Sequence, residues 1–184
     1  MESSAVARKR PRATSGPLYL FLQLKQLRES GVYDISVDDS DMTKWTIGVP
    51  ASKLKQLGMV ALARDLHKYA SLLKKDPSVV LVAEFPKAYP GGVPFVRVVR
   101  PRFCFHTAHV TVGGSFCTEL LTPAGWREMD VASLLESLCL TLKEGKAKVQ
   151  LTPDLHCHAP LTDYTEAEAR EAYHRVAKFH GWIK

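Results

Sequence analysis

The sequence predicts one α+β domain built on a four-stranded antiparallel meander, with helices before, within and after it. Three observations carry this. The chain has 184 residues, 46% of them hydrophobic, enough for one well-covered core but not for two. Runs rich in β-branched and aromatic residues recur at 32–37, 43–49, 78–84 and 95–99, and the last two have no helix-length segment between them, which favours antiparallel pairing. Apolar residues at spacings of three and four mark helices at 18–30, 51–75, 131–143 and 166–180.

Residues 1–17 are small, polar and basic, with four basic side chains and one acid; they read as a flexible arm ahead of a domain at 18–184. Arg8-Lys9-Arg10-Pro11-Arg12 is a short basic run of the nuclear-import kind, or simply a solvated tail. In the first helix Leu20, Leu24 and Leu27 form the apolar stripe, widened by Phe21 and Leu18, and Gly31 stops it. VYDISV and TKWTIGV follow as strands around the polar turn Asp38-Asp39-Ser40-Asp41. That acidic run lacks the central glycine and distant glutamate of a calcium loop, so a hairpin turn is its expected role.

Pro50 closes the second strand. Leu54, Leu57, Ala61, Leu62, Leu66, Tyr69, Ala70 and Leu73 give the next helix its face, and Gly58 weakens or divides it. SVVLVAE (78–84) is apolar enough to be internal to the sheet. Asp130 caps the helix 131–143, whose apolar side carries Leu134, Leu135, Leu138, Cys139 and Leu142. Cys139 reads there as a buried small hydrophobe. Thr165 and Glu168 form a capping-box signature for the last helix, with Ala169, Ala172, Tyr173, Val176 and Phe179 or His180 as its packing face.

Composition excludes several classes of function. No run of 18 apolar residues exists, so a membrane span is not expected. The N-terminus lacks the apolar segment of a secretory signal. The four cysteines, Cys104, Cys117, Cys139 and Cys157, are unevenly spaced with no CxxC pair, and read as free thiols. The net charge is +6, about half of it in the arm; no basic stripe marks the domain, so nucleic acid is not an expected partner. Cys104, His106, His109 and Cys117, and separately His156-Cys157-His158, offer metal-ligand chemistry without a clean spacing pair, so no metal and no cofactor is expected.

The densest stretch is Phe85 to Trp126. It runs from the end of a strand through a turn rich in proline and glycine into the next strand, and ends in a loop, Gly113-Gly114-Ser115-Phe116, that presents Cys117. A nucleophilic thiol needs exposure and a usable thiolate fraction. No local motif supplies a base, and from the residues alone Cys117 stands open between a packed thiol and a nucleophile.

The ordered motifs of this stretch resemble those of ubiquitin-conjugating enzymes, and within them the E2 Q family. Phe85-Pro86, Tyr89-Pro90 and Pro94-Phe95-Val96-Arg97-Val98-Val99 match a proline-punctuated turn leading into a VRVV strand. Gly113-Gly114-Ser115-Phe116-Cys117-Thr118-Glu119-Leu120-Leu121-Thr122 with Gly125-Trp126 match a GGxxCMELLTxxGW signature. Weaker matches lie around Asp39-Ser40 and Trp45, at Gly145 to Gln150 and at Gly181-Trp182; the resemblance spans roughly 18–182. It implies the ubiquitin-conjugating fold, with the helical segment at 51–75 inserted between strands two and three. It implies Cys117 as the thioester-forming residue and ubiquitin, an activating enzyme, a ligase and a protein substrate as partners, in the cytoplasm or nucleus.

Departures from the pattern locate the other site residues. Most of these enzymes carry His-Pro-Asn with the Asn eight residues before the cysteine; the E2 Q family lacks that triplet. Here the corresponding residues are Thr107-Ala108-His109, which makes His109 a candidate hydrogen-bond donor to the loop or to an oxyanion. Thr118 stands for the family methionine and Val93 for the first proline of a pair. The acidic residue that commonly orients an incoming lysine falls in the basic run Lys146 to Gln150, with Glu144 and Asp154 the nearest acids. Phe85 matches a ligase-contact position, and Arg127-Glu128-Met129 replace a second one. Gly113, Gly114 and Trp126 are expected to support the cysteine loop. An inactive E2-like module that docks ubiquitin or a ligase is the alternative reading.

Overall fold

The computed structural model describes residues 16–38 and 40–183. The expected arm lies almost wholly outside them. Its last two residues belong instead to the first helix, α1 (Gly16–Ser30), which therefore starts earlier than the apolar stripe alone indicates. The strands are β1 (Asp34–Asp38), β2 (Asp41–Pro50), β3 (Ser78–Glu84) and β4 (Phe95–Arg100). They form one sheet in the order β1-β2-β3-β4, antiparallel throughout. The register aligns Ile35, Ile47, Leu81 and Val98 across all four strands, and each is buried.

The insertion between β2 and β3 is two helices, α2 (Ala51–Gln56) and α3 (Val60–Leu73), rather than one. The break falls at Gly58, whose φ of +84° is open to glycine and strained for other residues. α4 (Val131–Glu144) begins on Asp130, which accepts the Ser133 N–H at 2.7 Å, and buries Leu134, Leu135, Leu138, Cys139 and Leu142 as expected. α5 (Glu166–Phe179) opens on a complete Thr165–Glu168 capping box. Thr165→Ala is expected to lower stability by about 1 kcal/mol in a urea titration, the usual worth of a satisfied N-cap.

Two packing faces differ from expectation. In α1 only Leu20, Leu24 and Leu27 are buried; Leu18 and Phe21 are about half exposed, because they lie outside the stripe that meets the sheet. In α5 the buried residues are Ala169, Ala172 and Ala177, while Phe179 is 85% exposed and His180 is exposed. Small side chains let this helix approach its neighbours closely and leave its C-terminal end projecting over a groove. Among the described residues no helix is long and apolar enough to cross a membrane.

Candidate active site

Cys117 is held at the end of a small hairpin. Its N–H donates to the His109 carbonyl at 2.8 Å. The hairpin continues through the Val110–Phe116 bridge and the Thr111 hydroxyl, which lies 2.8 Å from the Ser115 hydroxyl. It is tied to the sheet by the Arg97–Ser115 bridge and by the Val98 N–H donating to Gly114 at 2.8 Å. On the opposite side Ala108, fully buried, donates to the Gly145 carbonyl at 2.7 Å, so the loop rests on the end of α4.

Gly113 and Gly114 lie where a side chain has no room. A Cβ on Gly113 would lie 2.3 Å from the Glu168 carbonyl oxygen and 2.7 Å from the Ala172 Cβ. A Cβ on Gly114, at φ +93°, would lie 2.6 Å from the Tyr164 ring. The hairpin tip is therefore keyed directly onto α5 and the residue that precedes its cap.

That contact brings a residue to Cys117 that sequence spacing does not point to. His180, 63 positions away, places Nε2 3.8 Å from Sγ. The imidazole stacks on Trp182 with centroids 4.6 Å apart and planes 17° apart. In the sequence His180 is one more position on a helix face; its only flag is the Gly181-Trp182 ending beside it. Cys117 is half-buried, and burial pushes its thiol above the ordinary cysteine value. A base in contact is what such a thiol needs. The groove over it has a volume of about 480 Å³, and its lining includes His106, His109, Arg175, Phe179 and His180.

Among the described residues the lining contains no carboxylate. Glu144 ends α4 without reaching the groove, and Asp154 is engaged locally, accepting from the His156 and Cys157 N–H groups at 2.8 Å. His109 shares the groove with Cys117. It takes a left-handed backbone conformation (φ 50°), and its main chain, not its ring, makes the bond that holds the cysteine. Cys139 lies deep in α4, its thiol pushed up to about 12 by burial and by Glu136.

The remaining sequence candidates sit apart from this groove. Phe85 is 4% exposed and packs edge-on between Trp45 and Tyr89, at 5.0 and 4.8 Å. Its burial corrects the reading of it as a contact surface, since it has almost no area to offer a partner. Trp126 closes the same aromatic cluster and donates to the Pro90 carbonyl at 2.8 Å, pinning the segment after Cys117 to the turn that precedes β4. Arg127 and Glu128 are exposed beyond it, while Met129 is half-buried against the core. Among the described residues no three His, Cys, Asp or Glu side chains are grouped as a metal site.

A Drosophila melanogaster protein named ubiquitin-conjugating enzyme E2Q-like protein CG4502 is 24% identical over 169 residues, covering 90% of this chain and 50% of its own. The mouse and human proteins named ubiquitin-conjugating enzyme E2Q-like protein 1 are 28% identical over 112 residues, 57% of this chain and 64% of theirs. The chain is similar to ubiquitin-conjugating enzymes of the E2Q-like kind. It spans between half and two thirds of the length of the curated relatives it matches. No family model matches it. The fold is the ubiquitin-conjugating fold: a crystal structure of a ubiquitin-conjugating enzyme E2 from Plasmodium falciparum superposes with a TM-score of 0.50 at 15% identity, over 77% of this chain and 94% of that one. The chain has a helix, a four-stranded meander and C-terminal helices, with α2 and α3 between β2 and β3.

Proposed function

We propose that this E2Q-like chain carries ubiquitin as a thioester on Cys117 and passes it to an acceptor. The observation that carries the reading is the contact between Cys117 Sγ and His180 Nε2 at 3.8 Å, over an open groove. An activating enzyme presents the C-terminal carbonyl of ubiquitin as its own thioester. Cys117 Sγ attacks that carbon while its proton passes to His180. The carbon–sulfur bond to the activating enzyme breaks, and the departing thiolate takes up a proton. His180 gives its proton up to that thiolate and is neutral again. In the second step the acceptor attacks the Cys117 thioester carbon, the same imidazole receives the acceptor's proton, and the carbon–sulfur bond to Cys117 breaks, its thiolate taking that proton back from His180. His109, facing the same groove, is available as a donor to the oxyanion. With no carboxylate among the described lining residues to hold an ammonium, acceptors that carry less charge than lysine, hydroxyls or α-amines, fit alongside it.

A protein substrate and a ubiquitin ligase complete the expected set of partners. Arg127 and Glu128 are the exposed candidates for ligase contact. The test is incubation with activating enzyme, ATP and ubiquitin, with a thiol-sensitive adduct as the expected product; no adduct with ubiquitin or related modifiers would overturn the proposal. A non-catalytic docking module is the competing reading, favoured by the upward shift of the Cys117 thiol. It predicts ubiquitin binding without charging.

A further inference from the structure

One side chain that belongs to neither the Cys117 hairpin nor α5 braces the place where they meet. Arg102 lies on the segment after β4, where its carbonyl accepts the Gln150 N–H at 2.8 Å. Its side chain is only 13% exposed. The Nε–H donates to the Thr162 carbonyl at 3.1 Å, and Nη2 donates to the Asp163 carbonyl at 3.1 Å. Nη2 also reaches both oxygens of Glu168, at 3.1 and 3.3 Å. The guanidinium carbon sits 4.4 Å from the centre of the Tyr164 ring.

Each contact leads to one half of the site. Glu168 is the capping-box acid of α5, its Oε2 accepting the Thr165 N–H at 2.7 Å. It therefore fixes where the helix starts and, by its rigid rise of about 1.5 Å per residue, where His180 ends up. Tyr164 is the ring against which Gly114 of the hairpin packs, and its hydroxyl accepts the Phe103 N–H at 3.0 Å. A planar guanidinium can satisfy a carboxylate, two carbonyls and a ring face at once, which an ammonium cannot.

We infer that Arg102 is the positioning residue that sets the Cys117–His180 contact, by locking the α5 cap and the Tyr164 ring in one arrangement. The inference rests on the pairing used in the proposed function but not on ubiquitin transfer itself, so its test needs no charging. The measurement is the rate of Cys117 alkylation by iodoacetamide against pH, resolved from the other cysteines by peptide mass spectrometry.

In the wild type the His180 imidazole, 3.8 Å from Sγ, is expected to assist loss of the thiol proton and so to speed alkylation. His106, His109 and Arg175, itself paired with Glu171, are the other titratable or charged groups on the groove. His180→Ala removes that assistance and is expected to slow alkylation at pH 7.5 about tenfold. Arg102→Met, which keeps an unbranched stem but lacks the guanidinium, is expected to slow alkylation at pH 7.5 by the same factor, about tenfold, equivalent to one pK unit of thiolate availability. Glu168→Gln and Arg102→Lys should fall between. Far-UV circular dichroism verifies that each variant is folded, and Glu168→Gln stands in if Arg102→Met is not. A folded Arg102→Met, or in its place Glu168→Gln, with the wild-type profile would overturn the role of Arg102. A wild-type profile in His180→Ala would overturn the pairing and the inference with it. Failure to accept ubiquitin alongside the expected profiles would count against the proposed function alone.

Discussion

Cys117→Ala is expected to abolish the thiol-sensitive ubiquitin adduct completely, and Cys117→Ser to leave at most a slow adduct that survives reducing agent. The first change removes the sulfur that faces the groove beside His180, whereas Cys139 is sealed in the core and its thiol is pushed up to about 12. The second leaves an oxygen that forms an ester, which thiols do not readily cleave. Cys139→Ala should still charge, at some loss of stability from the space it leaves. The sign of the pH dependence follows from burial. Because the Cys117 thiol is held above its ordinary value, its thiolate fraction near neutral pH is smaller than that of a free cysteine. Charging should therefore rise steadily as pH increases through the neutral range. Non-reducing gel electrophoresis of the charging reaction reads all three variants; an undiminished adduct in Cys117→Ala would refute the assignment.

Gly113→Ala is expected to have the next largest effect, although it adds one methyl group. The new Cβ would fall 2.3 Å from the Glu168 carbonyl oxygen and 2.7 Å from the Ala172 Cβ. Both neighbours belong to the first half of α5, which the Arg102 clamp and the capping box hold in place. Backbone cannot rotate aside as a long side chain can, so the hairpin must lift or the helix must shift. Overpacking of this kind costs about 1–3 kcal/mol, measurable as a lower urea midpoint. A separation of about 1 Å between reacting groups can cost about 10²-fold in rate, so charging should fall far more than the stability loss accounts for. A Gly113→Ala protein with normal charging would show that the hairpin tip is not keyed to α5.

Much of the fold is legible in the chain because its elements are locally encoded. The strand at 78–84 and the capped helices α4 and α5 follow from apolar runs, periodicity and the side chains that cap them. Gly58 already signals the interruption between α2 and α3. Cys117 is found by its motif, since a glycine-led loop and its neighbours lie within a few residues of one another. Burial of Phe85 is not legible: a phenylalanine at the end of a strand can face either way, and only the aromatic stack of Trp45, Tyr89 and Trp126 decides.

The sequence by itself determines the α+β class, the order of the elements, the residues that cap them and the cysteine at the centre of the motif. All of these depend on neighbours close along the chain. Tertiary structure alone decides what stands opposite that cysteine. His109, the residue that counting selects, holds Cys117 through its main chain, while His180 arrives from the far end of α5. That meeting depends on two glycines thin enough to admit a helix and on an arginine that clamps the start of it. Such complementarity between segments 60 or so residues apart leaves no period or spacing in the sequence to read.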